Sequence, residues 1–185
     1  KSDASNASRT MLLPLAGAGW DAGLADLFGV PLSALQEVVD TMGCFGTCHN
    51  NAFGAPIPIC GLVGDQQSAT IGQGCLDPGQ AKATFGTGAF ILSNMGTTIP
   101  TSSNRLLGTI LWQAAGERHY ALEGSIFVAG SLMQWLRDGL GLIQSAGESA
   151  DLARSVGDSG GVVIVPALAG LGAPYWRADA TGSIT

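Results

Sequence analysis

Ala81-Lys82-Ala83-Thr84-Phe85-Gly86-Thr87-Gly88-Ala89-Phe90-Ile91-Leu92-Ser93-Asn94 is the stretch on which the fold turns. Two short apolar runs flank a glycine turn, so residues 81–85 and 89–94 are expected to pair as a hairpin. Gly86-Thr87-Gly88 at its tip offers backbone N–H groups and one hydroxyl. That set suits a phosphate and equally suits an ordinary hairpin turn. No lysine follows it, which excludes a Walker-type phosphate loop.

Toward the C-terminus, Thr109 to Gln113 and His119 to Glu123 read as further strands, giving an antiparallel meander. Ser125 is placed to cap a long helix in which Val128, Leu132, Leu136, Leu140 and Ile143 form an apolar stripe. Gly130 and Gln134 lie one turn apart on another face of it. Glycine inside a helix costs about 1 kcal/mol relative to alanine, so close approach of a ligand or a backbone, or helix packing, is needed to account for Gly130. A second helix is expected over Glu148 to Val156 and a buried strand over Gly161 to Ala167. Gly170 to Trp176 reads as a stiff apolar loop, for core packing or for ligand stacking.

Toward the N-terminus, Asp21 begins a helical pattern through Trp20, Leu24 and Leu27 that Gly29 and Pro31 stop. Ser33 and Gln36 have capping-box spacing ahead of Leu35, Val38 and Val39. The polar segment from Cys44 to Ala55 reads as loop or irregular strand. Ile57 to Val63 is apolar and partly β-branched, as in a buried strand, and Gly64-Asp65-Gln66-Gln67 closes it. A carboxylate on the rim of a strand can take a proton from a substrate hydroxyl while neighbouring amides hold it. Asp65 also reads as the cap of a helix from Gln66 to Gly72, and the two roles are compatible. Strands, helix and strand together give a mixed α/β chain.

Composition bounds the rest. The 185 residues suffice for one domain or pieces of two, and 46% hydrophobic with 12% charged residues argues for a packed core. The 28 glycines have no period of three, which excludes collagen. Fourteen acidic against eight basic residues give a net charge of −6 with no cationic run, against nucleic-acid binding. The longest apolar stretch, Gly161 to Pro174, is broken by Pro166 and falls short of the roughly 20 residues of a membrane span. Lys1-Ser2-Asp3 begins no secretory signal. Cys44, Cys48, Cys60 and Cys75, even with His49, lack the paired spacing of a metal site and are expected as free thiols in a reducing cytoplasm. The missing initiator Met and the final Ser183-Ile184-Thr185, which reads as a strand cut short, suggest a fragment.

Six motifs in series then carry a resemblance: Asn6-Ala7-Ser8-Arg9-Thr10, Gly64-Asp65-Gln66-Gln67, Thr84-Phe85-Gly86-Thr87-Gly88, Tyr120 to Ser125, Gln134 to Asp138 and Gly170 to Trp176. In this order they resemble the FGGY carbohydrate kinases, and within them the glycerol kinases. The resemblance implies two actin-like (ribonuclease H-like) ATPase domains, here in part. Residues 1–72 would end the N-terminal domain and residues 76–185 would open the C-terminal one. It also implies ATP and glycerol as substrates, Mg2+ held mostly from outside this chain, a cytoplasmic enzyme and a homo-oligomer.

Carried over by position, Asp65 resembles the general base on the glycerol hydroxyl, Gln66 a glycerol contact, and Phe90 the apolar wall against the glycerol carbons. Thr87 and Gly88 resemble phosphate contacts, and Gly130 and Gln134 nucleotide contacts; no residue here resembles a metal ligand. Phe85 stands where tyrosine is common, and Ala83 where asparagine is. Other family residues that hold glycerol, metal and adenine find no counterpart, so the 185 residues alone are expected to be inactive. A xylulose or gluconate kinase is the sister reading, against which Gln66 speaks, since those relatives more often have asparagine there. A catalytically dead nucleotide-binding scaffold is the reading from another class.

Overall fold

A computed structural model describes residues 1–48 and 53–185 of the chain. Along the sequence run β1 (Ser2–Asp3), α1 (Ala4–Ala7), α2 (Ala22–Leu27), β2 (Val38–Val39), β3 (Met42–Cys48), β4 (Ile57–Gly61) and α3 (Asp65–Gly72). They are followed by β5 (Ala81–Phe85), β6 (Ala89–Gly96), β7 (Leu107–Ala114), β8 (Glu117–Ile126), α4 (Gly130–Gln134), α5 (Glu148–Arg154), β9 (Ile164–Val165) and β10 (Ser183–Ile184). The largest sheet has four strands in the order β5-β6-β8-β7. The expected hairpin forms, but β8 rather than β7 follows β6 in space, so the strands are not a plain meander. Among the described residues no helix is long and apolar enough to cross a membrane.

The chain divides into two compact units. The first comprises Lys1–Lys82, Leu92–Ser102 and Leu107–Glu123. Its core is Ala4, Ala7, Leu13, Ile110 and Tyr120, with Leu15, Trp20 and Val38 against it. Small alanines on α1 let that short helix sit close, and hydroxyls tie it to its neighbours. Buried Asp3 caps α1, its carboxylate taking the N–H groups of Ser5 and Asn6 at 3.0 Å and the Thr41 hydroxyl at 3.0 Å. Ser8 Oγ lies 3.1 Å from Thr109 Oγ1, and Gln67 Nε2 donates to the same hydroxyl at 3.2 Å. Ser5 Oγ accepts the Gly64 N–H at 2.9 Å, which pins the start of α3 to α1.

Several expectations are corrected in this unit. Val38 and Val39 form no helix: they pair in parallel with Ser2 and Asp3, and only Leu32–Ala34 is a short 3-10 turn. Residues 57–61 are a strand, but an exposed one, because β3 and β4 form a two-stranded sheet of their own. The segment after Cys44 agrees with its reading as irregular strand as far as Cys48, with a shift of register between Met42 and Gly46. Cys44 and Cys60 are exposed, Cys48 is half-buried and Cys75 buried. His49 lies outside the described residues.

The second unit comprises Ala83–Ile91, Ser103–Leu106 and Gly124–Thr185. The expected long helix is broken. Ser125 belongs to β8 and Ala129 takes the cap position of α4, which begins at Gly130 and passes at Trp135 into a π-helical stretch to Gly139. The strand expected over Gly161 to Ala167 shrinks to exposed Ile164–Val165, paired antiparallel with Ser183–Ile184. The aromatic loop packs at its rim rather than in a core. Trp176 meets the Phe127 edge at 6.1 Å and donates its indole N–H to Arg105 O at 2.7 Å, while Tyr175 stays exposed. Gly172 is required there, because a Cβ would run into the Ser125 carbonyl.

Candidate active site

In the first unit α3 presents Asp65. A Cβ on the residue before it, Gly64, would stand 2.5 Å from Gln67 Oε1, so a larger residue there would require the buried Gln67 side chain to shift. Gly64 occupies the cap position, so Asp65 is the first helical residue rather than the cap. Its Oδ1 accepts the Gln66 N–H at 2.8 Å, and Gln66 Nε2 lies 3.5 Å from Oδ2. Asp65 is exposed and lines an open cavity of about 670 Å³ together with Asn6, Thr10, Trp20 and Gln36. An exposed carboxylate with a free lone-pair direction toward a cavity can receive a proton there. Gln67, by contrast, is buried and committed to Thr109, so of the two amides only Gln66 stands beside the acid.

Two features behind Asp65 were not assigned from sequence. Glu123 is fully buried and ion-paired with the Arg9 guanidinium, whose Nη2 donates to Oε1 at 3.0 Å and whose Nη1 stands 2.8 Å from Oε2. Lys82 is only 5% exposed, and its ammonium donates to Gln66 Oε1 at 2.5 Å. Burial pushes the Lys82 ammonium below the ordinary lysine range, and the carboxylates of Glu123 and Asp65 pull the other way. The only signal in the sequence was a lysine inside an otherwise apolar strand.

In the second unit Gly86, Thr87, Gly130 and Gln134 line a recess of about 170 Å³. The turn and the start of α4 are bonded together: Gly86 O accepts the Gly130 N–H at 2.9 Å. Thr87 O accepts the N–H groups of Ala129 and Ser131, at 2.8 and 3.1 Å, and the Ser131 hydroxyl at 2.9 Å. The open choice at Gly130 is thereby decided in favour of a backbone, because a Cβ would stand 2.5 Å from the Gly86 carbonyl. Gly88 is needed for the same reason, against the Ile126 carbonyl. Thr87 and Gln134 are exposed; Phe90 is half-buried in β6.

Gly130→Ala is expected to destabilise the chain by roughly 1–3 kcal/mol, the cost of forcing a methyl into a filled site. Gly72→Ala, at the end of α3 with nothing within 4 Å of the added carbon, serves as control and is expected to be neutral or stabilising. Urea unfolding of the two variants reads the difference; equal midpoints would contradict the close approach.

Comparison with known proteins fits this arrangement. The N-terminal-domain model of the FGGY family of carbohydrate kinases matches residues 1–72, and its C-terminal-domain model matches residues 81–185. The chain is 54% identical to "Glycerol kinase" of Methylobacterium nodulans over 98% of its own length and 36% of that protein. Among solved structures, Plasmodium falciparum glycerol kinase with ADP superposes with a TM-score of 0.87 at 40% identity, over 100% of this chain and 37% of that one. Xylulose kinase from Rhodospirillum rubrum gives 0.76 at 26% identity, over 100% of this chain and 38% of that one. The chain thus spans little more than a third of the length of the relatives it matches. With both domain models matched in order and the actin-like kinase architecture shared, the chain belongs to the FGGY family of carbohydrate kinases.

Proposed function

We propose that this chain forms part of an ATP-dependent glycerol kinase, which transfers the γ-phosphoryl group of ATP to glycerol and yields sn-glycerol 3-phosphate and ADP. The observation that carries the reading is Asp65, exposed on a cavity at the start of α3 with the Gln66 amide beside it. Asp65 takes the proton of the attacking glycerol hydroxyl as the oxygen bonds to phosphorus and the bond to ADP breaks. Gln66 holds a glycerol hydroxyl and Phe90 lies against its carbons. Thr87 and Gly88 contact the phosphates, and Gly130 with Gln134 the nucleotide, at the recess lined by Gly86, Thr87, Gly130 and Gln134. Residues 1–72 then end an N-terminal domain and residues 76–185 open a C-terminal one. Glycerol is favoured over xylulose because identity is higher to glycerol kinases than to xylulose kinase.

Phosphoryl transfer relies on positioning and charge stabilisation, so a base that orients the hydroxyl suffices on the protein side. In kinases Mg2+ is held by one or two carboxylates together with nucleotide oxygens. Among the described residues no group of three or more His, Cys, Asp or Glu could hold a metal ion, and no residue of this chain is assigned to Mg2+.

The test uses a kinase of the relatives' length that carries this sequence in its place. Its kcat/KM for glycerol is expected to exceed that for xylulose or gluconate by about a hundredfold or more, as for sites that read hydroxyls by hydrogen bonds. A pentulose phosphorylated faster than glycerol would overturn the assignment.

A further inference from the structure

Lys82 is an expensive residue to keep. An ammonium removed from water needs compensation by paired charge and hydrogen bonds, yet this one sits nine-tenths buried in a strand between apolar neighbours. The Glu123 carboxylate, itself paired with Arg9, supplies part of that compensation. The ammonium also donates to Gln66 Oε1, at 2.5 Å. This bond fixes which way round the amide stands. A lysine only donates, so the amide oxygen must face it, and the NH2 group must then face the other way. There it meets Asp65 Oδ2, which as a carboxylate only accepts.

Resting on the glycerol kinase reading, we infer that Lys82 is a positioning residue for Asp65: through Gln66 it turns the amide N–H groups toward the base carboxylate and holds that carboxylate in one orientation. Oδ1 is held by the Gln66 N–H at 2.8 Å, and the Gln66 NH2 stands 3.5 Å from Oδ2. Asp65 lines the cavity in which the alcohol would arrive. The charged and titratable groups around the ammonium are Glu123, Asp65 and the Cys75 thiol, with Arg9 beyond Glu123. Lys1 and Asp3 line the cavity on which Asp65 opens.

The experiment compares Lys82→Met, Lys82→Arg, Gln66→Leu, the Lys82→Met/Gln66→Leu double variant and Asp65→Asn in the full-length kinase carrying this chain. Lys82→Met is expected to lower kcat by roughly ten- to a hundredfold, the range of one charge-assisted hydrogen bond, with KM for ATP unchanged. Lys82→Arg, which keeps the donor, restores most of it, and Lys82→Met adds nothing once Gln66 is leucine. A wild-type kcat for Lys82→Met, or an undiminished loss in the Gln66→Leu background, overturns the inference. If Lys82→Met does not fold, Gln66→Leu alone decides, a wild-type kcat again overturning it. Asp65→Asn separates the two levels. Turnover that survives it removes the base, and the inference with it; turnover that falls with Asp65→Asn but not with Lys82→Met or Gln66→Leu removes only the inference.

Discussion

Asp65→Asn is expected to cut turnover of the full-length kinase by about a hundredfold to ten-thousandfold, the usual worth of a positioned general base. Asparagine keeps the shape and the hydrogen bond to the Gln66 N–H but cannot take a proton. Because the residue is exposed at the first turn of α3, the substitution should leave stability within about 0.5 kcal/mol. KM for ATP should change little, since the carboxylate acts on the alcohol and not on the nucleotide. Steady-state kinetics at saturating glycerol and ATP, with a melting curve beside them, checks all three statements. Unchanged turnover would take Asp65 out of the chemistry.

The second large effect is on stability. Glu123→Leu removes the carboxylate that Arg9 grips and that stands near Lys82, leaving two cations with far less compensation. Breaking one side of a buried pair costs about 3–5 kcal/mol. Arg9 is 37% exposed and can rehydrate, so a loss of roughly 2–3 kcal/mol is expected. The exposed pair of Arg177 and Asp179 is the internal contrast. Its guanidinium holds the Asp179 carboxyl down at about 2, yet both groups sit in water. Asp179→Ala should therefore leave the unfolding midpoint close to that of the unaltered chain. Urea unfolding of both variants measures the gap, and equal midpoints would contradict the buried-pair assignment.

What was legible in the sequence is what local pattern controls. The hairpin around Gly86-Thr87-Gly88, the Asp21-capped α2, the strands on either side of Ala115-Gly116 and α5 all stand where residue type and spacing put them. What was hidden is what distant chain decides. Val38 and Val39 became a strand because Ser2 and Asp3 offered a parallel partner. The stripe from Val128 to Ile143 did not make one long helix, since the chain ties Ala129 and Gly130 to the turn at residues 86–87 and passes into a π-helical stretch. Ile57 to Gly61 had the composition of a buried strand but pairs with β3 in a two-stranded sheet and is exposed along its length.

The candidate site divides the same way. Asp65 was legible as an acid at the start of a helix, one position off its role as cap, and Gly130 as a glycine that needed a close neighbour. Which neighbour was not, because Gly86 comes near only through the fold. Arg9 and Glu123, 114 positions apart, gave no hint of their pairing, and Lys82 showed only as a charge in an apolar strand.

The most direct measurement is a crystal structure of the full-length kinase with glycerol bound. It should place a glycerol hydroxyl oxygen about 2.6–3.2 Å from an Asp65 carboxylate oxygen, within proton-transfer reach, with the Gln66 amide still turned toward the acid. Glycerol bound away from Asp65, with that carboxylate touching nothing but its own helix, would contradict the account.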